Sequence, residues 1–552
     1  MRHCPKMIGK GEERPRRLGT LASLEAALSS RRIGAVALQS FASGLPLGLI
    51  WIALPAWLTY RGVDIKAVGL FSLAQAPWTF KFLWAPLMDR YSPGFLGRKR
   101  SWMVISQVLL MLGIGSLALQ ANAPRVGVVA AIALFVAFWS ASQDIAIDGY
   151  AVEVLEKGEQ GAAVGARVAL YRAATLLSGA VAITLGERLG WGGVFLGLAL
   201  LSLPLLAIVV RSPEPPPVSR APATLREAVF EPLAGIFRKT RALEIVAFLL
   251  LYKFGENLAT ALTRPFLIQK CFSPEDVGLA TATIGLVAII AGTFFGGWMS
   301  ERVGLGRALW IFGLIQSVGF LGYVAVDQMT PGVPCAAGPG ALVQPFGTRL
   351  AMYAAVGVEN LCQGMATGAF GVLLLRLTQK QFSATQYALF SSIFALGRTL
   401  AGPPAGFLVD AIGWTPFFLV SVVASIPGLV LLQRFVPFRV REPDLEVEQE
   451  RERRPVTRGQ LLLRSGTAGA AGFLAGAATS ALLAALKALR ARPGSSLGFF
   501  SELARLLSPL TASDWIRLAG PVVLGGVTAL AAAALLSARR GIARARRAVR
   551  AR

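Results

Sequence analysis

Histidine and charged residues are scarce in this chain of 552 residues. Its one histidine, His3, lies in a polar leading tail, and only 15% of the residues are charged. Without another histidine, the body of the chain cannot form a Ser–His–Asp triad or a histidine-liganded metal site. The four cysteines show no CxxC motif and no metal-ligand spacing. The sequence therefore predicts no metal, no cofactor and no enzymatic activity.

A phosphate-binding loop is also missing. The motif G-x-x-x-x-G-K-[ST] does not occur, which argues against ATP hydrolysis as an energy source. Among the cysteines, Cys271 and Cys335 can form a disulfide only if both lie outside the membrane. Two unpaired thiols are the arrangement that we expect.

Long apolar stretches dominate the chain instead. Hydrophobic residues make up 54% of the sequence, more than in a soluble protein of this length. A helix needs about 20 apolar residues to cross roughly 30 Å of hydrocarbon. The sequence predicts an all-α polytopic membrane protein with fourteen such stretches, of which the last two are Ala/Gly-rich: 33–58, 67–87, 102–120, 127–150, 165–186, 192–210, 244–268, 277–299, 308–327, 350–375, 386–409, 414–433, 465–489 and 518–537.

Basic residues are concentrated in the tails and between the apolar stretches. The formal net charge is +25, and this distribution is typical of membrane topology rather than of nucleic-acid binding. The positive-inside rule places both termini in the cytoplasm and the tail arginines at the inner leaflet of the lipid bilayer. The N-terminus is polar and basic through Arg32, without the pattern of a cleaved signal peptide.

The first twelve stretches divide into two similar halves. A polar, Pro-rich linker at 211–243 separates the sixth stretch from the seventh. Gln160 precedes Arg172 by twelve residues, and Gln386 precedes Arg398 by the same spacing. Such echoes at corresponding places indicate duplication.

Two further echoes support this interpretation. The segment 187–191 reads ERLGW and 410–414 reads DAIGW, while Asp89-Arg90 with Gly97-Arg98 corresponds to Glu301-Arg302 with Gly306-Arg307. We therefore predict these parts: a basic tail, 1–32; a six-helix bundle, 33–210; a cytoplasmic linker, 211–243; a second six-helix bundle, 244–433; a charged linker, 434–464; two extra membrane helices, 465–537; and a basic tail, 538–552.

Two carboxylates, Asp144 and Asp148, lie four residues apart near the end of the fourth stretch, on one helix face. The fifth stretch carries Arg167 and Arg172. Hydrocarbon disfavours a charged side chain by several kcal/mol unless it faces a cavity or a counter-ion. These residues predict a polar pathway through the membrane. In the alternative, Asp148 is solvated at the cytoplasmic end, and Asp144 pairs with Arg167 or Arg172 only to fix the helices.

A lysine, Lys81, lies inside the second stretch with Trp78 and Trp84 on either side at three-residue spacing. Its ammonium can hold a carboxylate while an indole stacks on a sugar ring. The alternative is a lysine that extends its charge to the interface between packing tryptophans. Because Lys81 lies several residues inside the predicted boundary, we favour the functional interpretation.

The seventh and tenth stretches contain further polar residues. Lys253, Glu256 and Asn257 have the i, i+3, i+4 spacing that also permits an internal ion pair. The tenth stretch has Glu359, which has no cation within one turn and is a candidate proton site. It also has two amides, Asn360 and Gln363.

The loop after the second stretch contains Asp89, Arg90, Arg98, Lys99 and Arg100. It resembles the signature loop of the major facilitator superfamily, with a longer insertion between its two parts. We expect these residues to latch the cytoplasmic ends of the helices in one conformation, a gating role rather than a contact with substrate.

Five longer segments resemble the AmpG-type muropeptide permeases, a bacterial branch of that superfamily. The likeness extends from about 40 to 433, and the segments are FKFLWAPLMDRYSPGFLGRKR (80–100), SASQDIAIDGYAVEVL (140–155), LYKFGENLATALTRPFLI (251–268), VENLCQGMATGAFGVLLLRL (358–377) and FSATQYALFSSIFALGR (382–398). The resemblance implies two six-helix bundles of the major facilitator type, plus the two extra C-terminal helices.

The resemblance also implies a function. Members of this family import anhydromuropeptides, the products of cell-wall recycling, with protons across the bacterial inner membrane. The alternatives are transport of another large anion, such as acetyl-CoA, and a sensor that transports nothing. We expect a monomer whose substrate contacts come from Lys81, Trp78, Trp84, Gln143, Tyr171, Arg172, Lys253, Glu256, Asn257, Asn360, Gln363 and Arg398.

The acids in the membrane are the candidates for proton coupling. Burial favours the neutral form of a carboxylic acid, whereas a nearby cation favours the charged form. A proton carrier needs both influences in different conformations. We expect Asp144 to be the carrier, with release when Arg172 approaches, and Glu359 and Asp148 to be the next candidates. Gln143 is expected to hold the sugar or peptide by hydrogen bonds.

Overall fold

The structure is a computed structural model of the chain. It describes residues 30–64, 71–216, 224, 227–232, 242–330, 344–438, 440–443, 458–491 and 498–510, with scattered residues between 514 and 532.

Six helices precede the polar linker. They are α1 (Arg31–Tyr60), α2 (71–90, in short pieces), α3 (Arg98–Gln120), α4 (Val126–Val154), α5 (Lys157–Gly186) and α6 (Arg188–Arg211). Their positions agree with the predicted apolar stretches.

The next six helices follow the polar linker. They are α7 (Glu244–Gln269), α8 (Glu275–Val303), α9 (Leu305–Met329), α10 (Phe346–Leu377), α11 (Ser383–Ile412) and α12 (Trp414–Arg434). A long helix, α13 (Arg458–Ala491), and a short one, α14 (Phe499–Leu507), come after them.

Ten of these helices are long and apolar enough to cross a membrane, counted over the described residues only. The predicted total of fourteen is not confirmed. The short pieces of α2 and the less apolar α11 and α13 fall outside the ten. The predicted stretch 518–537 lies mostly outside the described residues, as do the leading tail through residue 29 and most of the charged linker.

The second span is broken rather than continuous. It runs as 3₁₀-helical Phe71–Gln75, α-helical Ala76–Phe80, 3₁₀-helical Lys81–Leu83 and α-helical Ala85–Arg90. Pro77 and Pro86 each begin one of the α-helical pieces, because proline fits the first turn of a helix but not its interior. The break gives the Lys81 backbone a 3₁₀ turn near the middle of the predicted span.

The helices before and after the polar linker form two packed groups. In the first group α1 packs on α5, and α3 packs on α4 and α6; in the second, α10 packs on α8 and α9, and α7 packs on α11 and α12. The two groups meet where α5 packs on α8 and where α11 packs on α4 and α2. The similar segments 187–191 and 410–414 also share a backbone conformation. Gly190 and Gly413 both have positive φ, 73° and 78°, a conformation that favours glycine.

The two halves approach each other closely at a pair of glycines. A Cβ added to Gly161 on α5 would lie 2.2 Å from the backbone oxygen of Gly297 on α8, and the reverse distance is also 2.2 Å. Small residues allow helix backbones to pack closely in a membrane, where apolar side chains gain little by leaving lipid. The contact between α5 and α8 therefore depends on both glycines.

One prediction about the cysteines is wrong. Cys271 takes part in a disulfide, whereas we had expected an unpaired thiol there. Cys335 lies outside the described residues, and Cys362 is free and buried. No group of three or more potential metal ligands occurs among the described residues.

Candidate functional site

A cavity of about 280 Å³ lies between the two groups of helices. Five helices line it, from both groups, and it is partly open to the exterior. Its lining combines charged, hydroxyl and aromatic side chains: Ser40 and Ser43 of α1; Asp144, Ile147 and Asp148 of α4; Val164, Arg167, Val168 and Tyr171 of α5; Thr367, Phe370, Gly371 and Leu374 of α10; and Tyr387, Ser391 and Phe394 of α11.

Two cations and two carboxylates form a cluster in the first half, here called the N-half cluster: Lys81, Asp144, Asp148 and Arg167. The Lys81 ammonium lies 3.2 Å from Asp148 and 4.0 Å from Asp144. Arg167 pairs with Asp148, and Ser43 donates a hydrogen bond to Asp144. The charges within this cluster balance.

This arrangement differs from the alternative that placed Asp148 in solvent. Asp148 is only 6% exposed, and it accepts hydrogen bonds from both Lys81 and Arg167. Lys81 is 8% exposed, so its charge is neutralised inside the protein and does not extend to the membrane interface. Asp144 pairs with Lys81 and not with Arg167 or Arg172, the partners named for it in the alternative.

A second polar group, the C-half cluster, consists of Lys253, Glu256, Gln363 and Thr367. Lys253 forms the expected ion pair with Glu256, at 2.8 Å. It also donates to the Thr367 hydroxyl at 2.7 Å, while Gln363 donates to Glu256 at 2.7 Å. Because Thr367 lines the cavity, this cluster adjoins the same space as the N-half cluster. Asn257 is buried beside it.

Glu359 is buried in a different way. It is 4% exposed, and its Oε2 atom accepts hydrogen bonds from Asn360 at 2.7 Å and Tyr323 at 3.4 Å. Its Oε1 atom has no hydrogen-bond partner among the described residues. No ion pair to Glu359 occurs among those residues either. A charged carboxylate in this position would be uncompensated, which burial strongly disfavours.

Of the twelve predicted substrate contacts, all of which the structure describes, one lines the cavity, Tyr171. Three of the others have partners within or between helices instead. Gln143 is fully buried, and its side-chain amide donates to Gln107. Trp84 donates to Ser142 at 3.0 Å, and the Trp78 ring packs edge-on against Trp51. In this conformation the two tryptophans pack between helices, as the alternative interpretation held.

The predicted gating loop joins the two halves at one end of the molecule, here called the latch end. Asp89 accepts hydrogen bonds from Lys99 at 2.5 Å, and from the backbone N–H groups of Ala384 at 3.2 Å and Thr385 at 2.8 Å. These N–H groups lie in the first turn of α11, where backbone donors lack partners and negative charge is favoured. Asp89 of the first half therefore caps a helix of the second.

Glu153 at the end of α4 strengthens the same junction. It accepts hydrogen bonds from Arg98 and Ser383, both at 2.5 Å. Two other loop residues make no contact with the second half among the described residues. Arg90 lies over the ring of Tyr91, and Arg100 pairs with Glu214.

The second half repeats this arrangement. Glu301 at the end of α8 accepts a hydrogen bond from the backbone N–H of Gly161 at 3.2 Å, in the first turn of α5. Arg376 lies 3.4 Å from Glu301 and donates to Gln160 at 3.2 Å. The acids that correspond by sequence, Asp89 and Glu301, thus each contact the start of a helix in the opposite half.

Several contributing residues were missed in the sequence. They are hydroxyl-bearing or amide side chains inside apolar stretches, and no motif distinguishes them from packing residues: Ser40, Ser43, Gln107, Tyr323, Thr367, Tyr387 and Thr385. Glu153 was part of a quoted segment, but its partner in α11 is 230 residues away in sequence.

Comparison with known proteins identifies relatives of the chain. The profile of the Major Facilitator Superfamily matches residues 36–333 and 272–549. The anhydromuropeptide permease of Escherichia coli K12 is 41% identical over 394 residues, which cover 71% of this chain and 77% of the permease.

Two solved structures share the fold. The human organic anion transporter MFSD10 superposes with a TM-score of 0.52 at 15% identity, over 73% of this chain and 99% of the transporter. The fucose:proton symporter FucP of E. coli superposes with a TM-score of 0.51 at 14% identity, over 73% of this chain and 98% of the symporter. At such low identity these structures establish the fold alone.

Proposed function

The chain belongs to the major facilitator superfamily, and on that basis we propose that it is a proton-coupled permease that imports anhydromuropeptides into the cytoplasm. The observation that carries the proposal is the 41% identity to an anhydromuropeptide permease over most of both chains. The cavity with charged walls between the two halves supports it, because a substrate site at the interface of a repeat is typical of secondary transporters.

We further propose that 33–210 and 244–433 are two six-helix bundles that rock about the cavity, with two extra C-terminal spans and both termini in the cytoplasm. The distribution of Lys and Arg supports this orientation. With that orientation the latch end faces the cytoplasm and is closed by the contacts of Asp89 and Glu301. The cavity then receives substrate from the periplasm.

Proton coupling in this proposal centres on Asp144. Asp144 lines the cavity, and its only ion pair among the described residues is the long one to Lys81, at 4.0 Å. A substrate carboxylate that binds Lys81 would compete with Asp144 for that cation. Loss of the counter-ion favours the protonated acid, so substrate and proton would bind together. Asp148 keeps Arg167 as a partner.

Glu359 has a different part in the proposal. Because no ion pair compensates it among the described residues, it is neutral in this conformation and stays neutral while Asp144 titrates. The remaining predicted contacts, including Lys253, Glu256, Asn257 and Gln363, provide the polar wall of the second half.

Exchange of labelled substrate tests the substrate class. Purified protein in liposomes should exchange labelled anhydromuropeptide across the membrane when both sides contain the unlabelled compound. Liposomes loaded with acetyl-CoA instead should show no such exchange. Exchange with acetyl-CoA alone would replace the proposed substrate with another large anion, and exchange with neither compound would favour a non-transporting sensor.

A further inference from the structure

Two arginines beside the cavity differ from the paired cations of the two clusters. Lys81, Arg167 and Lys253 each form an ion pair. Arg172 on α5 and Arg398 on α11 form no hydrogen bond or ion pair with any residue that the structure describes. A cation without a direct ion pair is disfavoured inside a membrane protein, and such a cation marks a functional position.

Both arginines continue the walls of the cavity. On α5, Val164 and Val168 line the cavity, and Arg172 is the next residue at four-residue spacing, on the same helix face. On α11 the lining residues Ser391 and Phe394 lead to Arg398 in the same way. Both helices begin at the latch end, so the arginines lie about one turn beyond the cavity on its side away from the latch.

The two guanidinium groups lie close enough to interact electrostatically. Both side chains are exposed, although their helices pack inside the bundle. Arg172 interacts electrostatically with Arg398 and, without direct contact, with Glu256 and Glu359, and the cavity residue Tyr171 interacts with both arginines. Two like charges in one space repel each other, and an anion between them would remove that repulsion. Guanidinium groups bind carboxylates through two parallel hydrogen bonds.

Symmetry places the pair at the junction of the halves. Arg172 follows Gln160 by twelve residues, and Arg398 follows Gln386 by twelve. Each half therefore contributes one arginine from the corresponding helix. An anion bound to both would connect the two halves at the end opposite the Asp89 and Glu301 contacts.

The size of the cavity indicates which ligand reaches this position. Ligand pockets commonly measure about 300–1,000 Å³, and the cavity of about 280 Å³ is slightly smaller than that range. A disaccharide with a peptide exceeds this volume and must extend past Tyr171 toward the open side. The peptide of such a ligand carries free carboxylates.

We propose that Arg172 and Arg398 form a two-arginine clamp that binds a peptide carboxylate of the ligand at the mouth of the cavity. This inference rests on the proposed function and adds a specificity requirement to it. A muropeptide with a free carboxylate should be bound more tightly than the same muropeptide with that group blocked.

The test measures binding of two probes to the purified full-length protein. One is an anhydromuropeptide with free peptide carboxylates, and the other is the same compound with those carboxylates converted to amides. Arg172→Gln and Arg398→Gln should each weaken binding of the acid by about tenfold or more, since a charge-assisted contact is lost. Each should weaken binding of the amide much less, because a neutral amide forms no charge-assisted contact with the guanidinium group. Arg434→Gln is the matched control, because Arg434 is an exposed arginine on α12.

The outcomes distinguish failure of the proposed clamp from failure of the proposed substrate class. Equal binding of the acid by the variants and the unchanged protein would overturn the clamp, as would an equal loss for acid and amide. If the unchanged protein binds neither probe, the proposed substrate itself is wrong. Should a Gln variant fail to fold, Arg172→Lys and Arg398→Lys keep the charge but lose the paired hydrogen bonds. They should also weaken binding of the acid selectively, and an unchanged preference would contradict the clamp.

Discussion

Asp89 and Thr385 connect the two halves across 296 residues of sequence: the carboxylate accepts hydrogen bonds from the Thr385 backbone N–H at 2.8 Å and from its hydroxyl at 2.7 Å. Lys99 neutralises the carboxylate from its own half. Asp89 is therefore both a counter-ion and a helix cap. Opening of the latch end requires that the carboxylate leave α11 while it keeps Lys99.

Replacement of this carboxylate should favour the conformation with an open latch. Asp89→Ala removes a helix cap and a favourable charge at a helix N-terminus, which are together worth about 1–2 kcal/mol. Lys99 keeps Glu153 as a second counter-ion, at 3.9 Å. Spin labels on the latch ends of α4 and α11 should then report a larger population at long distance. Asp327→Asn is the control, because Asp327 pairs with Lys270 inside the second half. Equal distance distributions for Asp89→Ala and the unchanged protein would show that Asp89 does not hold the latch.

Lys81 should be required for stability as well as for transport. Removal of one partner from a buried ion pair costs about 3–5 kcal/mol because the other charge stays uncompensated. Lys81→Met should lower the thermal unfolding temperature in detergent and abolish uptake. The double variant Lys81→Met/Asp148→Asn leaves one cation and one anion, so it should recover most of the stability but not the uptake. A Lys81→Met protein with unchanged stability and uptake would contradict the balanced cluster.

The close approach of α5 and α8 should tolerate no larger side chain. Gly161→Val places its Cβ 2.2 Å from the backbone oxygen of Gly297, a distance at which the backbones must separate. The latch should then fail to close, and exchange of substrate should fall by about tenfold or more. Gly158→Val, at a glycine with open space around it, is the control. Normal exchange by Gly161→Val would mean that transport does not require this contact.

Asp144 and Glu359 should respond differently to neutralisation. Asp144→Asn resembles the protonated acid at nearly constant size, so exchange of labelled substrate should continue while accumulation driven by a pH gradient is lost. Glu359→Gln resembles a carboxyl group that is already neutral, and both activities should remain. Accumulation by Asp144→Asn at the level of the unchanged protein would exclude Asp144 as the carrier. Selective loss of accumulation in Glu359→Gln would transfer the role to Glu359.

The sequence predicted local relationships better than distant ones. Lys253 and Glu256 lie three residues apart on one helix, so helix periodicity alone indicated their ion pair. Lys81 and Asp148 are 67 residues apart, and only the packing of α2 against α4 decides that they meet. The duplicated pattern indicated that Asp89 and Glu301 are equivalent, but it contained no information about the helix that each one contacts.

The sequence also could not predict which neighbours an individual side chain contacts. Gln143 follows Ser142 and precedes Asp144 in an apparently polar segment, yet its side chain points away from the cavity to Gln107. Consecutive helix residues face different directions, and the rotation of α4 is set by its neighbours rather than by its own sequence. The break in α2 was missed for a similar reason, because an apolar stretch with two prolines is compatible with a kinked helix as well as with separate short pieces.

Uptake driven by an imposed pH gradient tests the central proposal most directly. Purified protein in liposomes, without ATP, should accumulate labelled anhydromuropeptide above the external concentration when the side from which substrate enters is acidic. A protonophore should abolish the accumulation and leave equilibrium exchange intact. Uptake that ignores the pH gradient, or that requires ATP, would contradict proton-coupled transport by this chain.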